Sequence, residues 1–408
     1  MPGGERERIA ALDLIRGVAV LGILAINVIG FAGPSPATYA LDIMQPATPS
    51  DRAVFALNLL VFDGKMRALF TLLFGASMAL FLEQREEARG EGEAQQLRRL
   101  AWLMVFGQLH YFLFWWGDIL FLYGACGLLL LALSPLSPRA MTLTALACFA
   151  LWHGWDALAS WPGIEAEEAF RQGRATAGQA AEYRRQIDWI ADQTERENAL
   201  YRSGYLAILR YKLAESPFWL FAMLRQNLGE TLPLMMIGMA LGRSGFFRGA
   251  WPRRRLWAFA IGTTAAGLAA SVPVLAWLAE RGFPPIANGA MLGGLLAPTQ
   301  MLIALGYAAL LVLAVPALVR TRPGRRLVAA GRMALSNYVG TTVVMTAIFY
   351  GWGLGLFGRF GNLELWAFVL LGWALMLAWS EPWLRRFRQG PLEWAWRSLT
   401  LARFVAMR

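Results

Sequence analysis

The sequence predicts an all-α polytopic membrane protein, with about ten transmembrane helices, both termini cytoplasmic and a helical cap on the extracytoplasmic side. Three observations carry this. Of 408 residues, 57% are hydrophobic and only 16% charged, where an ordinary soluble domain has about 25% charged. The mean hydropathy is +0.44, too apolar for a soluble fold to hide in its interior. Long apolar stretches also alternate with loops that are rich in arginine on one side only.

A spanning helix needs about 20 mostly apolar residues. Ten stretches qualify: 9–31, 54–82, 100–116, 119–134, 140–160, 218–242, 256–279, 291–319, 333–353 and 364–382. The second contains Asp63-Gly64-Lys65 and is expected to break there, and the fourth is short.

Arginine orients the set. The N-terminus carries Arg6 and Arg8, and the loop after the second stretch Arg85, Arg89, Arg98 and Arg99. Arg139 follows the fourth; Arg243, Arg248, Arg253, Arg254 and Arg255 follow the sixth. The eighth is followed by Arg320, Arg322, Arg325, Arg326 and Arg332, and the tail carries six more. The opposite short loops hold Arg52, Arg281 and Arg359 and little else basic. Cytoplasmic loops collect such charge, which places both termini in the cytoplasm. The N-terminus has no cleavable signal peptide pattern.

One connection is long. Residues 161–217, bracketed by Pro162 and Pro217, are rich in Glu, Arg, Gln and Ala. They read as one or two surface helices, and long loops translocate largely regardless of charge. The chain therefore divides into an N-terminal membrane half (1–160), the outer cap (161–217) and a C-terminal membrane half with its tail (218–408).

The net charge of +11 belongs to those cytoplasmic loops. No soluble domain carries a basic patch, so nucleic acid is excluded as a partner. The cysteines, Cys126 and Cys148, sit inside apolar runs as small hydrophobes without a CxxC spacing, and no metal site is expected.

Ionisable groups at membrane depth mark chemistry or partners. His110, one of two histidines, precedes Trp115-Trp116-Gly117-Asp118 at a helical hairpin. A hairpin that returns Asp118 to His110 makes a general base with its orienting carboxylate; otherwise His110 bonds a neighbouring carbonyl. His153, in Leu151-Trp152-His153-Gly154-Trp155, reads as an interfacial belt residue.

Asp13 and Arg16 share a helix face, as a local ion pair or as a cytoplasmic anion site with Arg16 as phosphate partner. Asn27 lies deeper on that helix, to bond across helices or to donate to a carbonyl oxygen during acyl transfer. Lys65 and Arg67 stand out because Lys65 and Lys212 are the only lysines; snorkelling beside Asp63 is the plain reading of Lys65. Glu230, Gln300, Asn337 and Glu381 are further polar groups in or beside the apolar stretches. Walker A, GxSxG, HExxH and dinucleotide patterns are absent.

The spaced motifs carry a resemblance. Arg8-Ile9, Leu12-Asp13 and Arg16-Gly17-x-Ala19-Val20-Leu21-Gly22-Ile23 with Asn27 open the chain. Gly64-Lys65, Leu69-Phe70-x-x-Leu73-Phe74-Gly75, Arg98-Arg99-Leu100, Gly107-x-Leu109-His110 and Gly117-Asp118-Ile119-Leu120-x-x-Tyr123 follow. The C-terminal half adds Gly331-Arg332-Met333-Ala334-Leu335-Ser336-Asn337-Tyr338, Phe349-Tyr350-Gly351 and Gly390-Pro391-Leu392-Glu393-Trp394. Together they resemble the YeiB-like bacterial membrane proteins, a domain of unknown function, over most of the chain except the cap. Wider relatives look like transmembrane acyltransferases, including the lysosomal heparan-alpha-glucosaminide acetyltransferase. Its catalytic His follows soon after the Asn-bearing helix, whereas residues 28–60 here hold no His, so the role passes to His110.

The resemblance implies an acyltransferase of the bacterial inner membrane. It takes an acyl group, acetyl in the first instance, from cytoplasmic acyl-CoA to a hydroxyl or amine of an extracytoplasmic glycan, lipid or cell-envelope acceptor. His110, Asp118 and Asn27 are the expected catalytic groups, and Asp13, Arg16, Lys65, Arg67 and Asn337 the donor-binding ones. Expected partners are the bilayer, acyl-CoA and the acceptor, with a homodimer left open. The alternatives from other classes are a transporter or flippase, with His110 as proton carrier, and a non-catalytic scaffold.

Overall fold

The computed structural model describes residues 3–86 and 92–408, and the side chains of 10–83 and 92–408. The side chains of Arg6, Arg8, Arg85 and Arg89 lie outside the described set. Helices and no strand occur among the described residues.

The elements run α1 (Gly3–Ala32), α2 (Pro49–Val61), α3 (Lys65–Glu86), α4 (Gly92–Leu113) and α5 (Leu120–Leu133). Then follow α6 (Pro138–Arg171), α7 (Ala177–Tyr201), α8 (Tyr205–Ala214), α9 (Trp219–Arg243) and α10 (Arg253–Glu280). The last are α11 (Pro285–Ala290), α12 (Ala297–Leu318), α13 (Arg322–Arg332), α14 (Ala334–Phe349), α15 (Asn362–Arg386) and α16 (Pro391–Thr400). Among the described residues, five stretches are long and apolar enough to cross a bilayer: Ala10–Ala32, Pro49–Glu83, Arg253–Glu280, Ala297–Leu318 and Asn362–Arg386. The fold is that of a helical membrane protein.

Local chemistry sets the boundaries. Thr48 and Asp51 form a capping box at the start of α2, and Thr176 with Gln179 does so for α7. Ser137 caps α6 with Pro138 next to it. The second apolar stretch is two helices, broken at 62–64 where Gly64 takes φ +68°. Lys65, at the first position of α3, donates Nζ to the Leu59 carbonyl at 2.5 Å, closing the end of α2.

Burial separates centre from rim. The apolar window of α1 is 78% buried, that of α10 only 17%. α1 packs against α3, α12, α13, α14 and α15, while α3 lies along α9 and α10 along α12. The α1–α13 crossing is close because it is made by glycine. A Cβ on Gly331 would stand 1.8 Å from the Asp13 carbonyl oxygen, and one on Gly17 2.1 Å from that of Leu327. The contact brings the middle of α1, with Arg16, to the end of α13, with Arg332.

The long connection is helical, but its first part is not separate. α6 continues through Pro162 to Arg171 without a break. α7 packs back on α6, and α8 docks on the end of α4. Tyr201 accepts from Gly351 N at 2.8 Å, Arg202 Nε donates to the Phe357 carbonyl at 3.2 Å, and Glu197 takes Ser35 N and Oγ at 2.5 and 2.7 Å. Cys148 is exposed on α6, unlike buried Cys126, because α6 turns that face away from the bundle.

Candidate active site

The α4–α5 hairpin returns Asp118 to His110. His110 Nδ1 lies 2.9 Å from Asp118 Oδ1, and the two side chains are 1% and 0% exposed. The other carboxylate oxygen accepts from Phe121 N at 2.8 Å, at the start of α5, where a negative charge suits the helix N-terminus. Asp118 is thereby fixed, and it fixes the ring. A neutral His110 carries its proton on Nδ1, toward the carboxylate, which leaves Nε2 as the base.

Nε2 has a partner of its own, Thr342 Oγ1 at 3.0 Å. Thr342 is fully buried on α14. Its hydroxyl has a second acceptor within reach, the Tyr338 carbonyl at 3.1 Å, and its one proton serves one of them at a time. The Tyr338 ring lies 5.0 Å from the imidazole, and its hydroxyl donates to the Gly117 carbonyl at 3.1 Å.

A cavity of about 470 Å³ leads toward this group. One part of its lining is basic: Arg16 from α1, Arg99 from α4, Arg332 from α13 and Arg397 from α16. Its shaft is apolar, with Val20, Ile23, Phe70, Leu73 and Leu103, and it stops against Tyr338 and Ile119. α16 closes one wall. Trp396 donates to the Arg99 carbonyl at 2.8 Å, under the Arg99 guanidinium 4.5 Å from its ring. Glu393 accepts from Leu335 N, Ser336 N and Ser336 Oγ at 2.8, 3.0 and 2.5 Å, and so caps α14. Burial raises its carboxyl above the usual glutamate range.

Beyond Tyr338 the α1–α14 seam continues as a chamber of about 10 Å³, with Asn27, Phe31, Thr342 and Met376 in its wall. Val20, Ile23 and Tyr338 belong to both spaces. From Arg16 to Asn27 the seam follows about 16 Å of helix rise.

The expected residues fall into two groups. Arg16 lines the large cavity and Asn27 the end chamber, with Asp13 paired to Arg16 at 2.7 Å, while His110 and Asp118 stand behind Thr342 and Tyr338. Lys65, Arg67 and Asn337 line neither space. Lys65 closes α2; Arg67 pairs with Glu230 at 3.0 Å. Asn337 donates to the Ala330 carbonyl at 3.0 Å and accepts from Trp379 at 2.7 Å. His153 is buried, its ring 4.3 Å from Phe149. Thr342 escaped the sequence reading, because a threonine inside an apolar helix ordinarily bonds its own backbone.

Relatives of this sequence cover nearly its full length. A family model described as "Protein of unknown function (DUF418)" matches residues 241–403. The uncharacterized protein YeiB of Escherichia coli (strain K12) is 33% identical over 97% of both chains. The uncharacterized protein YxaH of Bacillus subtilis (strain 168) is 28% identical over 98% of this chain and 96% of its own. No solved structure matches. With a third of its residues shared with YeiB from end to end, and DUF418 across its C-terminal part, this chain belongs to the YeiB-like family.

Proposed function

We propose that this protein is a membrane acyltransferase that uses a cytoplasmic acyl-CoA. The observation that carries the reading is the seam itself, with arginines at one end and a buried His–Asp pair behind the other. Guanidinium groups suit the phosphates of a CoA head. The apolar shaft suits the extended pantetheine arm, which delivers its thioester to the end of the seam. His110, oriented by Asp118, takes the proton of an attacking hydroxyl or amine, and the Asn27 amide steadies the carbonyl oxygen as it becomes negative. The end chamber has room for about one water-sized group, which favours acetyl over longer chains.

In this reading the ten apolar stretches span the inner membrane, the arginine mouth faces the cytoplasm and the cap stands outside. The acceptor is then an envelope glycan or lipid that approaches from the cap side. The test is acetyl-CoA binding by detergent-purified full-length protein, followed by thermal shift, with Arg16→Ala and His110→Ala alongside. Saturable stabilisation weakened in Arg16→Ala, and acetyl transfer or thioester hydrolysis lost in a folded His110→Ala, is the expected result. Absence of any shift across acyl-CoA chain lengths would falsify the reading and favour transport or scaffolding.

A further inference from the structure

We infer that Thr342 is a covalent relay: it accepts the acyl group from the donor and passes it to the acceptor. The inference rests on the acyl-transfer reading and adds a step to it. A nucleophile is recognised by a hydroxyl within hydrogen-bond reach of a base that a third group orients. Thr342 Oγ1, His110 and Asp118 meet that geometry at 3.0 and 2.9 Å, all buried. The base nitrogen is occupied. An acceptor that met His110 directly would first have to displace Thr342, while the Thr342 hydroxyl already stands within hydrogen-bond reach of Nε2.

The layout of the seam points the same way. Ala334, Leu335 and Tyr338 line the large cavity, and Tyr338, Thr341 and Thr342 the end chamber, so one face of α14 leads from the mouth to the hydroxyl. The Asn27 amide is in the wall of the same chamber.

In the first step the Thr342 Oγ–H proton moves to His110 Nε2 as Oγ bonds the thioester carbonyl carbon. The C–S bond breaks, and the thiolate leaves with the proton from His110. Thr342 now carries an ester. In the second step an acceptor hydroxyl or amine gives its proton to His110 and attacks the ester carbonyl. The Oγ–C bond breaks and Thr342 recovers the proton. No redox partner or metal enters the balance. Donor and acceptor never need to be present together, which suits substrates that arrive from opposite ends of the molecule.

The test uses full-length protein in detergent, with Thr342→Ser and Thr342→Val, and acetyl-CoA labelled in the acetyl group, without acceptor. The wild type is expected to release a burst of one CoA per chain. Acid-quenched peptides are expected to carry the acetyl on Thr342 as an oxygen ester, stable to neutral hydroxylamine, unlike a thioester on Cys126. Thr342→Ser should keep the burst. Thr342→Val should lose it by about 100-fold or more while still melting and binding acetyl-CoA as the wild type does. A normal burst in Thr342→Val, label on another residue, or acetyl-CoA binding without burst or label overturns the relay and leaves the acyl-transfer reading standing. Failure of acetyl-CoA to bind at all removes both.

Discussion

Gly107 and Asp118 are in mutual contact range only because Gly107 has no side chain. A Cβ there would stand 2.7 Å from Asp118 Oδ2 and 2.3 Å from Phe121 N. One turn before His110, the glycine makes the space in which the carboxylate turns toward both the ring and the start of α5. Gly107→Ala is therefore expected to push α5 from α4, destabilising the protein by about 1–3 kcal/mol. It should also lower thioester turnover more than acetyl-CoA binding, as read by thermal melting beside single-turnover kinetics. Normal turnover in this variant would mean that the His110–Asp118 geometry is not needed.

Arg16 and Arg332 stand together at the mouth because Gly17 and Gly331 let α1 and α13 touch. Loss of one charge-assisted contact to a phosphate is worth about 1.5–3 kcal/mol, roughly 10- to 100-fold in affinity. Arg16→Ala should weaken acetyl-CoA by that factor. Desphospho-CoA thioesters should lose less in the variant than CoA thioesters do, since the partner phosphate is already missing.

If the protein transfers acyl groups, chain length is set at the far end. Acetyl-CoA is expected to be the best donor and thioesters of four or more carbons poor ones, because the end chamber, with Phe31 and Met376 in its wall, is small. Met376→Ala should shift the preference toward longer chains. An unchanged preference would place the acyl group elsewhere.

Lys65 and Asn337 are expected to matter for stability and not for the donor. Lys65→Met leaves the Leu59 carbonyl without its donor, and Asn337→Leu strips Trp379 and the Ala330 carbonyl of a partner. Each should cost about 1–3 kcal/mol with acetyl-CoA affinity unchanged. A large drop in affinity in a variant that still melts normally would return that residue to the donor site.

The cap carries a pH dependence. Lys212 on α8 is buried and donates to the Tyr111 carbonyl at 2.7 Å, capping the end of α4 beside His110. Burial pulls its ammonium down to about 7, from the ordinary 10.5. Between those values the unfolded chain holds a proton that the folded chain has released. Stability therefore rises with pH across that window; the penalty is complete below about 7 and gone above 10.5. The melting temperature should climb from about pH 7 to about pH 9, and Lys212→Met should flatten the climb.

Much of this was legible before any coordinates. Hydropathy gave the apolar helices, and Gly64 announced the break in the second stretch. The His110–Asp118 pair was readable because eight residues of hairpin separate its members. Thr342 was not readable, since its partner lies 232 positions away in the chain and one sequence carries no sign of such a pairing. Lys65 and Arg67 misdirected for the converse reason. Their charge stood out in an apolar run, but a carbonyl on α2 and a carboxylate on α9 use it, neither of which spacing alone identifies. Pro162 looked like a boundary and is not one, because a helix of this length tolerates the loss of one hydrogen bond.

The continuity of α6 has a mechanical consequence. A helix of 34 residues is about 51 Å long, and the cap grows from its far end without a hinge loop. Such a cap behaves as a cantilever, stiff against swinging and soft only where Pro162 has already removed a backbone bond. Its displacement then goes with breaking the α8 tie to α4, and the same event uncaps the helix that holds His110. A swing of the cap and the setting of the His110 ring are thereby mechanically coupled.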